Sequence, residues 1–147
     1  MQLLRDLEAT RDETLPLFQL GAAELARTYA PGKWTVRHLL HHITDSETVL
    51  YDRIRRVISE PRQVIWYYDE AAWARGLRYE DMPLELSRSI YESVRAAIIY
   101  RARLHYEKDG HLEFVHSVTG VRTLKDEFDK VAEHNAHHLA QIRAALG

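Results

Sequence analysis

Residues 35–58 read TVRHLLHHITDSETVLYDRIRRVI. Apolar side chains recur there at Val36, Leu39, Leu40, Ile43, Leu50 and Ile54, the three- and four-residue spacing of an amphipathic helix rather than a strand. Thr35 stands where a cap is needed, since its hydroxyl can accept from an amide of the first turn. Pro61 disfavours helical geometry at Glu60, so this helix is expected to stop near Ser59. The same periodicity extends in both directions. A first helix is predicted from Gln2 to about Leu20, with Leu3, Leu4, Leu7, Leu15 and Phe18 as candidate buried positions and Pro16 kinking or shortening its end. A third begins at Pro83, which suits a first helical turn, and a fourth runs from about Thr123 to Leu146. Four long helices with few strand signals predict an all-α protein, an antiparallel four-helix bundle.

The connections are less regular. A brief turn, AAELAR, leads into the loop TYAPGKW ahead of Thr35. A long aromatic connection, VIWYYDEAAWARGLRYEDM, joins the second and third helices and is expected to hold one short helix from about Glu70 to Leu77. The segment KDGHLEFVHSVTGVR reads as loop or extended chain. Neither repeat nor linker divides the sequence, so residues 1–147 are expected to form a single domain with room for a sizeable core.

Charge and composition exclude several roles. A net charge of −2 offers no basic excess to neutralise a nucleic-acid backbone. With no cysteine, disulfides and thiolate metal sites are ruled out and a cytoplasmic location is expected. MQLLRDLEATRDE carries charges every few residues, unlike a signal peptide, and no apolar run is long enough to span a bilayer.

Chemistry concentrates in the histidines. EHNAHHLAQI, residues 133–142, lies within the fourth helix, whose apolar stripe is set by Leu124, Phe128, Val131, Leu139, Ile142 and Leu146. At about 100° per residue, His138 and His134 fall on one side of that stripe, and His137 lies farther round toward solvent. His134 and His138 are four residues apart, so both imidazoles project from one face and can share a metal ion. The spacing is that of the HExxH helix, but the intervening residues are Asn135, Ala136 and His137, so the glutamate of that protease motif is absent. A third ligand should come from a facing helix. The second helix offers His38, His41 and His42; phase places His42 at the edge of its apolar face, His38 intermediate and His41 well away. Nitrogen donors without thiolate suit Zn, Ni, Fe or Co, and three protein ligands would leave coordination positions open.

These stretches also carry a family resemblance. GKWTVRHLLHHITDSE, residues 32–47, resembles the second-helix motif of the DinB-like (YfiT-like) metal-binding four-helix bundles. In that motif a tryptophan, a Ser or Thr cap and an Ile or Val precede a ligand histidine, which is followed by a small residue, aspartate and glutamate. YDEAAWARGLRY, residues 68–79, resembles the aromatic connection of the YfiT-type branch, and EHNAHHLAQI its fourth-helix HxxxHxxQI motif. The match spans about residues 2–146. Carried over position by position, it implies His42, His134 and His138 as the metal ligands, the three that helical phase selects. It further implies a divalent ion, Zn or Ni first, with Fe, Co or Mn as alternatives, and a homodimer. Some members resemble thiol S-transferases that use bacillithiol or mycothiol, and others are described as metal-dependent hydrolases. The partner expected is thus a small-molecule thiol or electrophilic substrate; the alternative is a non-catalytic metal-binding or structural dimeric bundle.

Other residues have two readings each. Glu47 lies near the centre of its helix's apolar stripe, where a charge is costly unless paired. It is a candidate catalytic residue, orienting a ligand histidine or accepting a proton; the competing expectation is an ion pair with Arg101. Asn135 and Gln141 are candidates to hydrogen-bond the ligand histidines. Trp34 is expected to pack beneath its loop in the manner of a hydrophobic staple. For most of Trp66, Tyr67, Tyr68 and Trp73, core packing or a dimer contact is expected; the alternative is that they wall a pocket. His105, His111 and His116 read as surface or loop residues.

Overall fold

The structure is a computed structural model that describes residues 1–147. Its elements run α1 (Gln2–Leu17), α2 (Ala22–Leu25), α3 (Val36–Ser59), β1 (Val64–Ile65), α4 (Glu70–Gly76), α5 (Leu84–His105), β2 (Glu113–His116), β3 (Gly120–Thr123) and α6 (Leu124–Leu146). The four long helices are those expected. Thr35 caps α3 by accepting from the His38 amide, and Pro16 lies in the last turn of α1. Pro83 is the N-cap of α5, one position before the first turn. Thr123 opens α6 with a reciprocal capping box, in which its hydroxyl and the Asp126 carboxylate each accept from the other residue's amide.

Two apolar clusters fix the helix directions. One gathers Leu3 and Leu7 of α1 with Ile54 and Val57 of α3, Ile98 and Ala102 of α5, and Leu124 and Phe128 of α6. The other gathers Phe18, which caps α1, with Val36 and Leu40 of α3, Leu84 and Tyr91 of α5, and Ile142 of α6. The start of α1 and of α6 therefore lies at the end of the bundle where α3 and α5 finish. Antiparallel packing holds between α3 and α6 and between α1 and α5. The neighbours α3 and α5 run in the same direction, as do α1 and α6. This arrangement needs a long crossover connection, and residues 60–83 supply it, returning from the end of α3 to the opposite end of the bundle. The aromatic connection is long because it must travel the bundle's length.

A small sheet is the element absent from the sequence reading. β1 pairs parallel with β2, and β2 pairs antiparallel with β3, His116 lying opposite Gly120. Gly120 has φ +80°, the left-handed conformation that closes a three-residue hairpin loop. Phe114 and His116 face inward while Glu113 and Val115 face out. Pairing with β2 holds β1 in place, and the Tyr67 amide donates to Ser117 Oγ at 2.9 Å, so the sheet fastens the aromatic connection alongside α3. No helix is long and apolar enough to cross a membrane.

Between the two apolar clusters lies a buried polar layer centred on Arg95 of α5. Its guanidinium donates to both carboxylate oxygens of Glu47, to Asn135 Oδ1 at 2.7 Å, to Thr10 Oγ1 at 2.7 Å and to the Leu7 carbonyl at 2.8 Å. Tyr91 donates to the same Asn135 oxygen at 2.7 Å, and Asn135 Nδ2 donates to Thr14 Oγ1 at 3.0 Å. All four long helices are thereby tied at one level, with the guanidinium fully paired, which a charge buried this deeply requires.

Candidate metal centre

Three imidazoles meet where the first half of α3 passes the middle of α6. His134 Nε2 lies 3.1 Å from His42 Nε2 and 3.0 Å from His138 Nε2. One nitrogen from each ring falls within 4.8 Å of the others. Helical phase explains the convergence: His134 and His138 stack one turn apart on the flank of α6, and His42 occupies the facing flank of α3. His42 is fully buried and stands against the Trp34 ring at 5.1 Å between centroids. Trp34 is partly buried against the second apolar cluster and forms one wall of the histidine cluster.

Burial sets the protonation of these rings. It pushes His42 down to about 3 and His134 down to about 2, with neighbouring imidazoles adding to the effect, and it lowers His138 as well. All three are neutral near pH 7, the form that carries a lone pair for a cation. His138 Nδ1–H donates to Gln141 Oε1 at 2.7 Å, fixing the tautomer with its lone pair on Nε2 toward the cluster. Gln141 thereby does what the sequence suggested.

The donor set fits a divalent ion. A single proton on His134 Nε2 cannot point along both short contacts, so hydrogen bonding cannot satisfy the cluster; a cation shared by three lone pairs can. Zn–N bonds of about 2.0–2.1 Å in a tetrahedral shell place ligand nitrogens roughly 3.3 Å apart, close to the two short spacings here. His42 Nδ1 is also buried without a partner, so no protein group locks that ring in a competing role.

Several expected residues take other places. Glu47 is not brought to the cluster: it belongs to the Arg95 ion pair. An ion pair was one of its two readings, but the partner is Arg95 and not Arg101, because Arg95 lies at the level of the bundle where α3 and α5 face each other. Asn135, too, turns into the Arg95 layer and away from the histidines. His41 is buried, not remote from the core; its Nδ1 lies 2.7 Å from Ser87 Oγ. Phase placed it wrongly because this side of α3 is covered as well, by α5 and by Tyr79, whose ring stands 5.3 Å from that of His41. His116 is another correction, being buried in the hairpin with its Nδ1 accepting from the Val118 and Thr119 amides at 3.2 Å each. His105 is partly buried and pairs with Asp109 at 2.6 Å, while His111 is exposed.

Beside the cluster is a cavity of about 140 Å³ lined by His134, Ser46, Tyr68, Glu70, Arg53 and His116, among others. Glu70, which the sequence reading passed over, opens α4 and brings Oε1 to 3.9 Å from His42 Nε2. The only signal for it was its place just after the Asp69 cap, four residues past Trp66. Tyr68 closes the cavity through a 2.5 Å hydrogen bond with Ser46 Oγ. Trp66, Tyr67, Tyr68 and Trp73 wall an adjoining groove of about 410 Å³, the alternative to the expected core packing, and Trp66 is 75% exposed.

The buried neutral imidazoles carry a prediction about acid. His41 is lowered to about 4, chiefly by burial, alongside His42 and His134. Because these folded values lie below the unfolded value near 6.5, the unfolded chain takes up protons first as pH falls. The stability they contribute is complete above pH 6.5 and is lost on descending through 6.5 toward 4 and below. Each such histidine costs about 2 kcal/mol at pH 5. Urea melts of metal-free protein between pH 7.5 and 4.5 should therefore show stability falling steeply below 6.5; a flat profile would contradict the burial of neutral rings.

Known proteins resemble this chain in sequence and in fold. A protein of Oceanobacillus iheyensis named "Putative metal-dependent hydrolase" is 31% identical over 127 residues, covering 86% of this chain and 73% of that one. The structure of YfiT from Bacillus subtilis, described as a probable metal-dependent hydrolase with an unusual four-helix bundle topology, superposes with a TM-score of 0.87 at 24% identity, covering 97% of this chain and 82% of that one. A mycothiol-dependent maleylpyruvate isomerase superposes with a TM-score of 0.75 at 13% identity over 96% of this chain and 59% of that one. The DinB superfamily model matches residues 6–142, and with the bundle, its crossover and its three-histidine cluster this chain belongs to the DinB superfamily.

Proposed function

We propose that this protein is a divalent-metal-dependent hydrolase of a small electrophilic molecule, with the ion held by His42, His134 and His138. The observation that carries the reading is the convergence of three neutral imidazoles, with His134 Nε2 3.1 and 3.0 Å from the other two, beside a cavity that His134 lines. A divalent ion supplies the positive charge that lowers the pKa of a nucleophile and polarises the bond it attacks. The chain's own groups do the rest: Gln141 orients His138, Trp34 shields His42 from water, and Glu70 lies within reach of a proton released beside His42. The hydrolase relative at 31% identity supports water as the nucleophile. A second reading, transfer of a low-molecular-weight thiol to the same electrophile, is supported by the fold shared with the mycothiol-dependent enzyme.

The two readings separate in one assay. Zinc- and nickel-loaded protein is given an activated ester, and separately 1-chloro-2,4-dinitrobenzene with a low-molecular-weight thiol. Hydrolase action predicts ester turnover that needs no thiol and that His42→Ala reduces at least about 100-fold. Turnover only with thiol assigns the transferase reaction. No turnover of either kind, with tightly bound metal and a metal-dependent Tm, assigns the non-catalytic role.

A further inference from the structure

Two arginines are buried in this bundle, and they are satisfied very differently. Arg95 fills its guanidinium with close partners, as described above. Arg53 of α3 is 4% exposed, yet it makes one hydrogen bond, to the Trp66 carbonyl at 3.4 Å. Its ion-pair partner Glu127 stands 3.6 Å away. Arg53 Nε and Glu127 Oε2 are both buried without a hydrogen-bond partner. A guanidinium presents five donors in a planar fork, and leaving them unmet in a buried place is costly. The polar layer around Arg95 shows that this fold can satisfy such a group completely. At Arg53 it does not.

Arg53 also borders open space. Arg53 lines both the cavity of about 140 Å³ beside the histidines and the aromatic groove of about 410 Å³. Lys130 and His116 join it on the cavity wall, whereas Glu70 stands with His134 on the same lining and 3.9 Å from His42. The lining therefore carries both signs, with Arg53 and Lys130 as cations and Glu70 as a carboxylate beside the metal-ligating His134. Its volume equals that of about four or five waters, room for a small acidic headgroup but not for a nucleotide.

We propose that Arg53, assisted by Lys130, binds the carboxylate of a small carboxylic-acid substrate whose apolar body lies along the groove walled by Trp66, Tyr68 and Trp73. A planar fork matches a carboxylate in bidentate fashion, and one end of the acid then faces the histidines. The proposal deepens the metal-dependent reading by naming a substrate class, and the binding step itself needs no metal. Glu127 is the internal counter-ion that a ligand must outcompete, and at 3.6 Å it leaves the guanidinium without a hydrogen bond to that carboxylate.

The test is calorimetric titration of the full-length protein, metal-free and zinc-loaded, with benzoate, its neutral analogue benzamide, and inorganic phosphate, with zinc content measured separately. Benzoate should bind both forms at least tenfold more tightly than benzamide. Arg53→Gln should weaken benzoate tenfold or more and Lys130→Gln about threefold, while Glu127→Gln, which removes the competing charge, should tighten it several-fold. Should Arg53→Gln fail to fold, the opposite shifts of the other two variants still decide the matter. Equal affinity for benzoate and benzamide would overturn the proposal, as would phosphate binding more tightly than benzoate. So would benzoate binding confined to zinc-loaded protein and indifferent to all three substitutions, which would put the carboxylate on the ion. If zinc does not bind at all, the metal reading fails while the benzoate comparison still stands or falls alone.

Discussion

Replacing His134 with alanine is expected to abolish metal binding, taking zinc from about one ion per chain to less than about 0.1. His134 is the member that approaches both of the others, at 3.1 and 3.0 Å. Without it, two nitrogens from separate helices remain. Losing a group that merely orients a ligand typically costs about 10–100-fold in metal affinity, so losing the ligand itself must cost more. Zinc at about a thousand times its dissociation constant should stabilise the wild type by about 4 kcal/mol, and the variant should gain none of this. The metal-free proteins should differ far less, within about 1 kcal/mol, because the substitution also relieves a cluster whose nitrogens cannot all be satisfied. If the histidines served only packing, the variant would instead lose stability without metal and would have nothing to lose with it.

Glu47→Ala should have the second large effect, and on a different quantity. It removes the counter-charge from a guanidinium buried between four helices and leaves that charge unpaired, at a cost of about 3–5 kcal/mol. Denaturant melts of metal-free protein at pH 7 should show this loss, while protein that remains folded should still take up about one zinc per chain. Arg95→Ala should destabilise comparably, and the double variant should lose less than the sum of the two, because the pair is coupled. A catalytic Glu47 predicts the reverse pattern, with turnover lost and stability kept.

The stretches easiest to read are those where one helix face decides everything. Leu3, Leu7, Leu39, Leu40, Ile43, Phe128, Val131 and Leu139 are all buried where periodicity placed them. The same phase brought His42, His134 and His138 to a common point, because the flank of a helix beside its apolar stripe is the part that meets its neighbour's flank. Phase is blind to how many neighbours a helix has, which is why His41 was misplaced: α5 and Tyr79 cover that side of α3. It is equally blind to level along the bundle, so the α5 arginine named for Glu47 is Arg101, where the structure has Arg95. Helix direction depends on a connection, residues 60–83, whose course no local pattern records. Nor could β2 be told from a loop, since EFVH is four residues long and its partner β1 only two, too short to show an alternation. His116 and Glu70 reach the cavity through these irregular segments, and for that reason they had no spacing by which to be found.

X-ray absorption at the zinc edge of protein prepared without a histidine tag tests the central claim most directly. The expected spectrum is that of one ion per chain bound by three imidazole nitrogens at about 2.0–2.1 Å with light-atom ligands completing the shell, falling to two imidazoles or none in His134→Ala. Stoichiometric zinc whose shell holds fewer than three imidazoles in the wild type, or no zinc retained after incubation and desalting at pH 7.5, would contradict it.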